Sequence, residues 1–102
     1  MKELKISSGI FYYLYISTNP GKTALYTGMT NDIRRRLAEH YSERGKNNHF
    51  ASKYHCYKLL HYEIYDTANE AIEREKEIKN MTREKKLELI KTKNAKLKFL
   101  VI

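Results

Sequence analysis

Two tyrosines, an arginine, a histidine and a distant glutamate have the types and spacing that could carry chemistry. Tyr15 and Tyr26 lie eleven positions apart, Arg36 follows ten positions later, and His40 stands four beyond it. Arg36 and His40 are an i, i+4 pair and share a helix face. A guanidinium beside an imidazole suits an oxyanion such as phosphate. The plainer alternative is a solvated helix flank, because Arg34, Arg35 and Arg36 form a basic run. Glu75 differs in kind. The periodicity of Ala68, Ala71, Ile72, Glu75, Ile78 and Lys79 puts its carboxylate inside an apolar stripe. A buried, unpaired charge is costly, so Glu75 needs a partner. That partner is either Arg36 or a lysine in a structural ion pair, or a metal ion or reacting proton in a functional site.

Other chemistries find no support. Cys56 is the one cysteine, and it forms no zinc-site spacing with His40, His49, His55 and His61. There is no phosphate-cradling glycine loop and no nucleophilic serine or cysteine signature. Gly28 lies between a strand and a helix, where it either admits a ligand close to the backbone or turns the chain. Most of the nine tyrosines are expected in the core or in cross-strand pairs.

These residues need elements to hold them. The apolar run Ile10 to Ile16 predicts a strand buried on both faces. Asn19, Pro20 and Gly21 mark a turn, and Ala24 to Thr30 predicts an antiparallel second strand. Thr30, Asn31 and Asp32 are cap candidates for a helix running to about Glu43. Arg44 to His55 reads as a basic loop. Leu59 to Tyr65 predicts a third strand, with Leu60, Tyr62 and Ile64 on one face and His61, Glu63 and Tyr65 on the other. Thr67 and Glu70 form a capping box for a helix ending near Asn80, and Thr82 caps a last helix over Arg83 to about Thr92. The tail, Asn94 to Ile102, predicts a docked turn or a short edge strand. Met1 to Ser8 reads as a loose lead-in.

The chain has 102 residues, which predicts one domain over 1–102, with its core at about 10–93. A net charge of +8 points to a polyanion, nucleic acid before an acidic membrane surface. Arg34, Arg35, Lys46, Lys53 and Lys79 are the residues expected to hold it. No run approaches the ~20 apolar residues of a membrane span, and the first eight residues lack a signal peptide's apolar core. A cytoplasmic monomer is therefore expected.

Taken together, the positions resemble the GIY-YIG nuclease superfamily, and within it the short bacterial proteins built from this domain and little else. Tyr13-Leu14-Tyr15 matches the first motif and Tyr26-Thr27-Gly28 the second, at the family's usual spacing. Arg36 and His40 fall on the family's arginine and the histidine or tyrosine after it, and Glu75 falls on its metal-binding glutamate. Asn94 matches a downstream asparagine, although Ala95 replaces the proline that usually follows. Tyr-Leu-Tyr is a loose version of the first triplet, and Met29 stands where some members carry a polar or basic residue.

The resemblance implies an α+β fold, a three-stranded and mainly antiparallel sheet flanked by helices. It also implies one-step phosphodiester hydrolysis with one divalent metal, Mg²⁺ or substituting Mn²⁺, held by Glu75. Arg36 would neutralise a phosphate oxygen, and Tyr15 or Tyr26 would position or deprotonate water. A phenol with a reference pKa of about 10 is a poor base unless a cation lowers it. The cations available are Arg36, the metal and His40. The alternative is a nucleic-acid-binding module without turnover, supported by the basic surface alone. Either way, affinity for duplex DNA should fall with salt at a log–log slope of about −0.9 per neutralised phosphate. Fluorescence anisotropy from low to moderate salt measures it, and a flat response would contradict a polyanion partner.

Overall fold

The middle strand of the sheet dictates the rest of the architecture. In the computed structural model, which describes residues 10–102, β1 (Tyr12–Thr18) pairs antiparallel with β2 (Leu25–Thr30) on one side and β3 (Lys58–Tyr65) on the other. The lead-in expected over Met1 to Ser8 lies outside the described residues. Helices α1 (Ile33–Ser42), α2 (Phe50–Lys53), α3 (Ala68–Lys79) and α4 (Arg83–Lys91) complete the described elements. This is the expected α+β fold, with an entirely antiparallel sheet.

Alternation along β1 feeds two cores. Leu14 and Ile16 join Leu60, Ile78 of α3 and Ile90 of α4 on one face. Tyr15 joins Ile33 of α1 and Leu59 on the other, with Tyr13, Tyr26, Leu37 and Tyr62 packed around them. The sheet is thus sandwiched between α1 and the α3–α4 layer, which is why its central strand reads as continuously apolar.

The strand begins two residues later than its apolar run predicts, and Ile10 and Phe11 are exposed. The turn sets this register. The Asn19 side-chain oxygen accepts from the backbone N–H groups of Thr23 (2.9 Å) and Ala24 (3.0 Å), and its carbonyl accepts from Lys22 N–H (2.9 Å). The Thr18 hydroxyl donates to the Ala24 carbonyl at 2.6 Å, which satisfies this buried polar residue. Its neighbour Ser17 is also buried, without a hydrogen-bond partner for its hydroxyl among the described residues. The left-handed backbone of the turn falls on Lys22 (φ 59°), not on Gly21.

β3 departs from simple alternation. Ile16 faces His61 and Ser17 faces Leu59, so Leu60 is an extra residue in a bulge. Leu60 therefore points into the Leu14–Ile16 core while Tyr62 enters the opposite one, not the shared face that alternation predicts.

The Arg44–His55 segment is not a plain loop. It is wound around buried Ser52, whose hydroxyl donates to the Glu43 carbonyl and accepts from the N–H groups of Lys46 (3.2 Å) and Asn47 (3.3 Å). Gly45, at φ 73°, donates its N–H to the Ser52 carbonyl at 2.8 Å. These bonds stabilise the single turn α2, which is too short to persist by propensity. The helix caps match expectation: Asp32 accepts from Arg35 N–H, Thr67 from Glu70 N–H and Thr82 from Lys85 N–H. On α3, Ala71 and Ile78 are buried, but Lys79, expected inward, is exposed.

The tail is docked without forming a strand. Asn94 is buried, and its amide donates to the carbonyls of Leu60 (3.0 Å) and Lys98 (2.8 Å) while accepting from Lys98 N–H (2.9 Å). Leu100 N–H bonds the Leu59 carbonyl at 2.8 Å. Asn94→Ala strands the buried Leu60 carbonyl and should cost about 1–3 kcal/mol. A urea midpoint unchanged from wild type would show that this tie contributes nothing.

Candidate active site

Tyr15 occupies the centre of the sheet, where β1 is shielded on both sides, and its backbone lies opposite Gly28 of β2. A Cβ at Gly28 would stand 2.6 Å from the Tyr15 hydroxyl oxygen and 2.8 Å from Cε2 of Tyr26. Gly28 lies within β2 and does not turn the chain. It clears the space in which the Tyr15 ring lies across β2.

That space lets the Tyr15 hydroxyl reach His40, with 2.8 Å between the oxygen and Nε2. His40 sits near the end of α1, and Asp32 at the other end sets the helix's start. Tyr26 packs its edge against the His40 ring, with centroids 5.3 Å apart, and tilts against Tyr15 at 6.1 Å. Three of the predicted residues thus meet in one aromatic cluster.

Burial governs the protonation of the pair. It holds the Tyr15 phenol well above its ordinary range, reinforced by Tyr26, while the charge and hydrogen bond of the Arg36 guanidinium pull the other way without overcoming it. Burial, followed by the nearby Arg36 charge, also lowers His40 to about 4. His40 is therefore a neutral imidazole at neutral pH and not one of the cations expected to activate a tyrosine. Desolvation disfavours its charged form, and a guanidinium on the same helix face adds repulsion.

Arg36 is partly buried, and Nη1 contacts Glu39 at 3.0 Å. Glu75 lies on α3, close enough for its charge to act on Tyr15. Its side chain is 23% exposed and pairs with Lys79 at 3.3 Å. The carboxylate is thus at the core's rim, with a lysine as the partner that its position demanded. Such a partly exposed i, i+4 pair contributes only a few tenths of a kcal/mol, so it is readily exchanged for another cation.

The residues expected to hold nucleic acid are spread more widely. Arg34 donates to the carbonyl of Ile102, and Arg35 bonds Asn31 and lies 3.7 Å from Glu39. Lys46 is exposed on the loop, Lys53 is exposed on α2, and Lys79 is occupied by Glu75.

A second polar cluster was not anticipated. Glu63 of β3 accepts from Tyr65 (2.6 Å) and from Arg74 through two nitrogens (2.8 and 3.2 Å), and meets His61 Nε2 at 2.8 Å. Burial would push the Glu63 carboxyl up, but the contacts from His61, Arg74 and Tyr65 outweigh it and hold the acid far below the usual range. Arg74 precedes Glu75, so this cluster fixes α3 against β3 beside the candidate site. Alternation did put His61, Glu63 and Tyr65 on one strand face; the partner on α3 was the missing signal.

A buried tyrosine–histidine pair thus lies beside an arginine and a carboxylate on an antiparallel three-stranded sheet. Residues 11–88 match the model of the GIY-YIG catalytic domain, and the chain belongs to that family. Its relatives there are the UPF0213 proteins. A UPF0213 protein of Haloquadratum walsbyi is 39% identical over 79 residues, covering 78% of this chain and 85% of that protein. One from Staphylococcus aureus is 41% identical over 68 residues, covering 67% and 80%. The solution NMR structure of a UPF0213 protein from Bacillus halodurans superposes with a TM-score of 0.54 at 29% identity, covering 84% of this chain and 88% of that one. No helix among the described residues is long and apolar enough to cross a membrane.

The His40 shift makes stability depend on pH. Because its folded pKa lies near 4, below the ordinary 6.5, the neutral form is favoured by folding. The contribution is complete above about pH 6.5 and is lost as pH falls toward 4. Thermal midpoints across this window should drop for the wild type, by up to ~3 kcal/mol of stability. His40→Gln should flatten the dependence; an equally steep profile in the variant would assign it elsewhere.

Proposed function

We propose that the chain is a metal-dependent endonuclease that hydrolyses phosphodiester bonds in DNA or RNA. Tyr15, Tyr26, Arg36, His40 and Glu75 are its working side chains. The observation that carries this reading is the 2.8 Å contact between the Tyr15 hydroxyl and a neutral His40, within reach of the charges of Arg36 and Glu75.

The donor set fits Mg²⁺ or Mn²⁺. Among the described residues no three His, Cys, Asp or Glu side chains gather into a metal-binding group, which leaves Glu75 as a single hard oxygen ligand. Mg²⁺ is commonly held by one or two carboxylates with water and phosphate oxygens completing its shell. A structural zinc needs four side chains and does not fit. When bound, the ion supplies positive charge to the phosphate and to the leaving oxygen. Arg36, which bonds Glu39 through Nη1 and also interacts with Tyr15, neutralises a non-bridging oxygen. In the tautomer that carries its proton on Nδ1, His40 accepts the Tyr15 proton at Nε2. Tyr15 then takes a proton from the attacking water as it gives its own to His40. This relay avoids a free phenolate and leaves the charge on His40 as an imidazolium, which burial also disfavours. The imidazolium must pass its proton on, to solvent or to the leaving oxygen, to complete the turnover. Tyr26 positions the water.

One observation favours a second reading, a non-catalytic nucleic-acid-binding module: Glu75 already has a cation in Lys79. Cleavage of plasmid, single-stranded and branched DNA and of RNA, with Mg²⁺ or Mn²⁺ against chelator, separates the two. Arg36→Ala should slow cleavage by ~10²–10³, the usual loss of one preorganised donor, and weaken binding only slightly, since it is one of 20 basic residues. Glu75→Ala should abolish metal-dependent turnover. A wild type that cleaves none of these substrates yet binds them would favour the binding module instead.

A further inference from the structure

The helix α2 is packed the wrong way round for an ordinary amphipathic turn. Its small residues, Ala51 and Ser52, are buried, while Phe50 is 47% and Tyr54, at its C-terminal end, 44% exposed. Hydrophobic burial would normally favour the reverse. Their rings pack against each other at 4.7 Å and 50°. Two other exposed rings, Tyr41 and Phe99, are flanked by cations. Arg44 covers the face of Tyr41 at 3.7 Å, and Lys22 and Lys58 flank Phe99 at 5.0 and 5.3 Å.

Phe50 and Tyr54 also line a cavity of about 350 Å³ with Ala24, Leu25, Arg83 and Lys86. Lys53 stands 5.4 Å from the Tyr54 ring centre. Aromatic faces beside several cations, on a chain of net charge +8, complement a ligand that is flat, apolar on its faces and anionic along its backbone. The surface is continuous with the candidate active site: Phe50 stacks on Tyr26 at 6.4 Å and 23°, and Tyr26 packs against His40.

We propose that Phe50 and Tyr54 form a stacking subsite for an unpaired nucleobase, with Lys53, Arg83 and Lys86 holding the neighbouring phosphates. This deepens the nucleic-acid reading above and depends on it. A base inside a duplex has both faces covered by its neighbours, so the subsite takes a base that is single-stranded or has left its stack. Stacking is indifferent to base identity, because every base presents a π-face. The subsite therefore selects for strand state and not for sequence, and places the unpaired nucleotide on the Tyr26 side of the scissile phosphate.

The test uses the whole chain in chelator, so that nothing is cleaved, and a single-stranded oligonucleotide carrying one 2-aminopurine, whose fluorescence is quenched by stacking. Wild type should quench the probe on binding. Phe50→Ala with Tyr54→Ala should abolish quenching and weaken affinity by roughly 5- to 150-fold, the range for loss of one stacked base. The salt slope should stay unchanged, because every charge remains. Phe50→Trp with Tyr54→Trp should restore quenching. Phe50 also touches Tyr26, so Tyr54→Ala alone is measured beside an amide NMR spectrum; it should lose part of both signals in a folded chain. Quenching and affinity that survive in the double and the single variant would overturn the subsite, as would wild-type binding without quenching. Absence of cleavage with metal present would remove the nuclease reading and leave these binding signals standing.

Discussion

The contact between Tyr15 and His40 is the constraint on which the site depends. It demands a phenol at the centre of the most protected strand, an imidazole near the C-terminal end of α1, and empty space between them. Gly28 supplies the space, since any side chain there would occupy the ring's position. The Asp32 cap sets where α1 begins and hence where His40 falls. Burial then removes the charge from both partners, because neither a phenolate nor an imidazolium is well solvated there. The result is an uncharged hydrogen-bonded pair with charged groups at its margin.

Two carboxylates, Glu63 and Glu75, show how environment sets a side chain's partners. Glu63 is saturated by His61, Tyr65 and both forks of Arg74, and nothing further can bind it without breaking that network. It is a fastener between β3 and α3. Glu75, one residue beyond Arg74, pairs with the exposed Lys79. Its interaction is weak and screened, which leaves an oxygen ligand free to change partners. A fixed helix carrying a loosely held carboxylate is a suitable arrangement for presenting a ligand to an incoming ion.

The loop between α1 and β3 extends the same logic outward. Ser52 satisfies the backbone from Glu43 to Asn47, so the segment is ordered by hydrogen bonds and not by apolar burial. Its aromatic residues are thereby released from the core and displayed beside Tyr26. Rings, cations and the candidate active site form one continuous surface.

Much of this was legible in the residues. Alternation, turn chemistry and capping residues are local, and they determined the three strands and the helix starts at Thr67 and Thr82, and narrowed the first start to Thr30, Asn31 or Asp32. The α+β class followed from the family resemblance. The order and spacing of Tyr15, Tyr26, Arg36, His40 and Glu75 determined the family, and the charge on an apolar stripe determined that Glu75 must have a partner. Tertiary structure decided the rest. Which cation meets Glu75 depends on helix rotation, and the neutrality of His40 depends on how much water the fold removes. The bulge at Leu60 arises from pairing across β1 and β3, and the outward turn of Phe50 follows from a serine bonding backbone nine residues away. A linear pattern encodes which residues share a face; desolvation, register and long-range hydrogen bonding exist only once the faces have met.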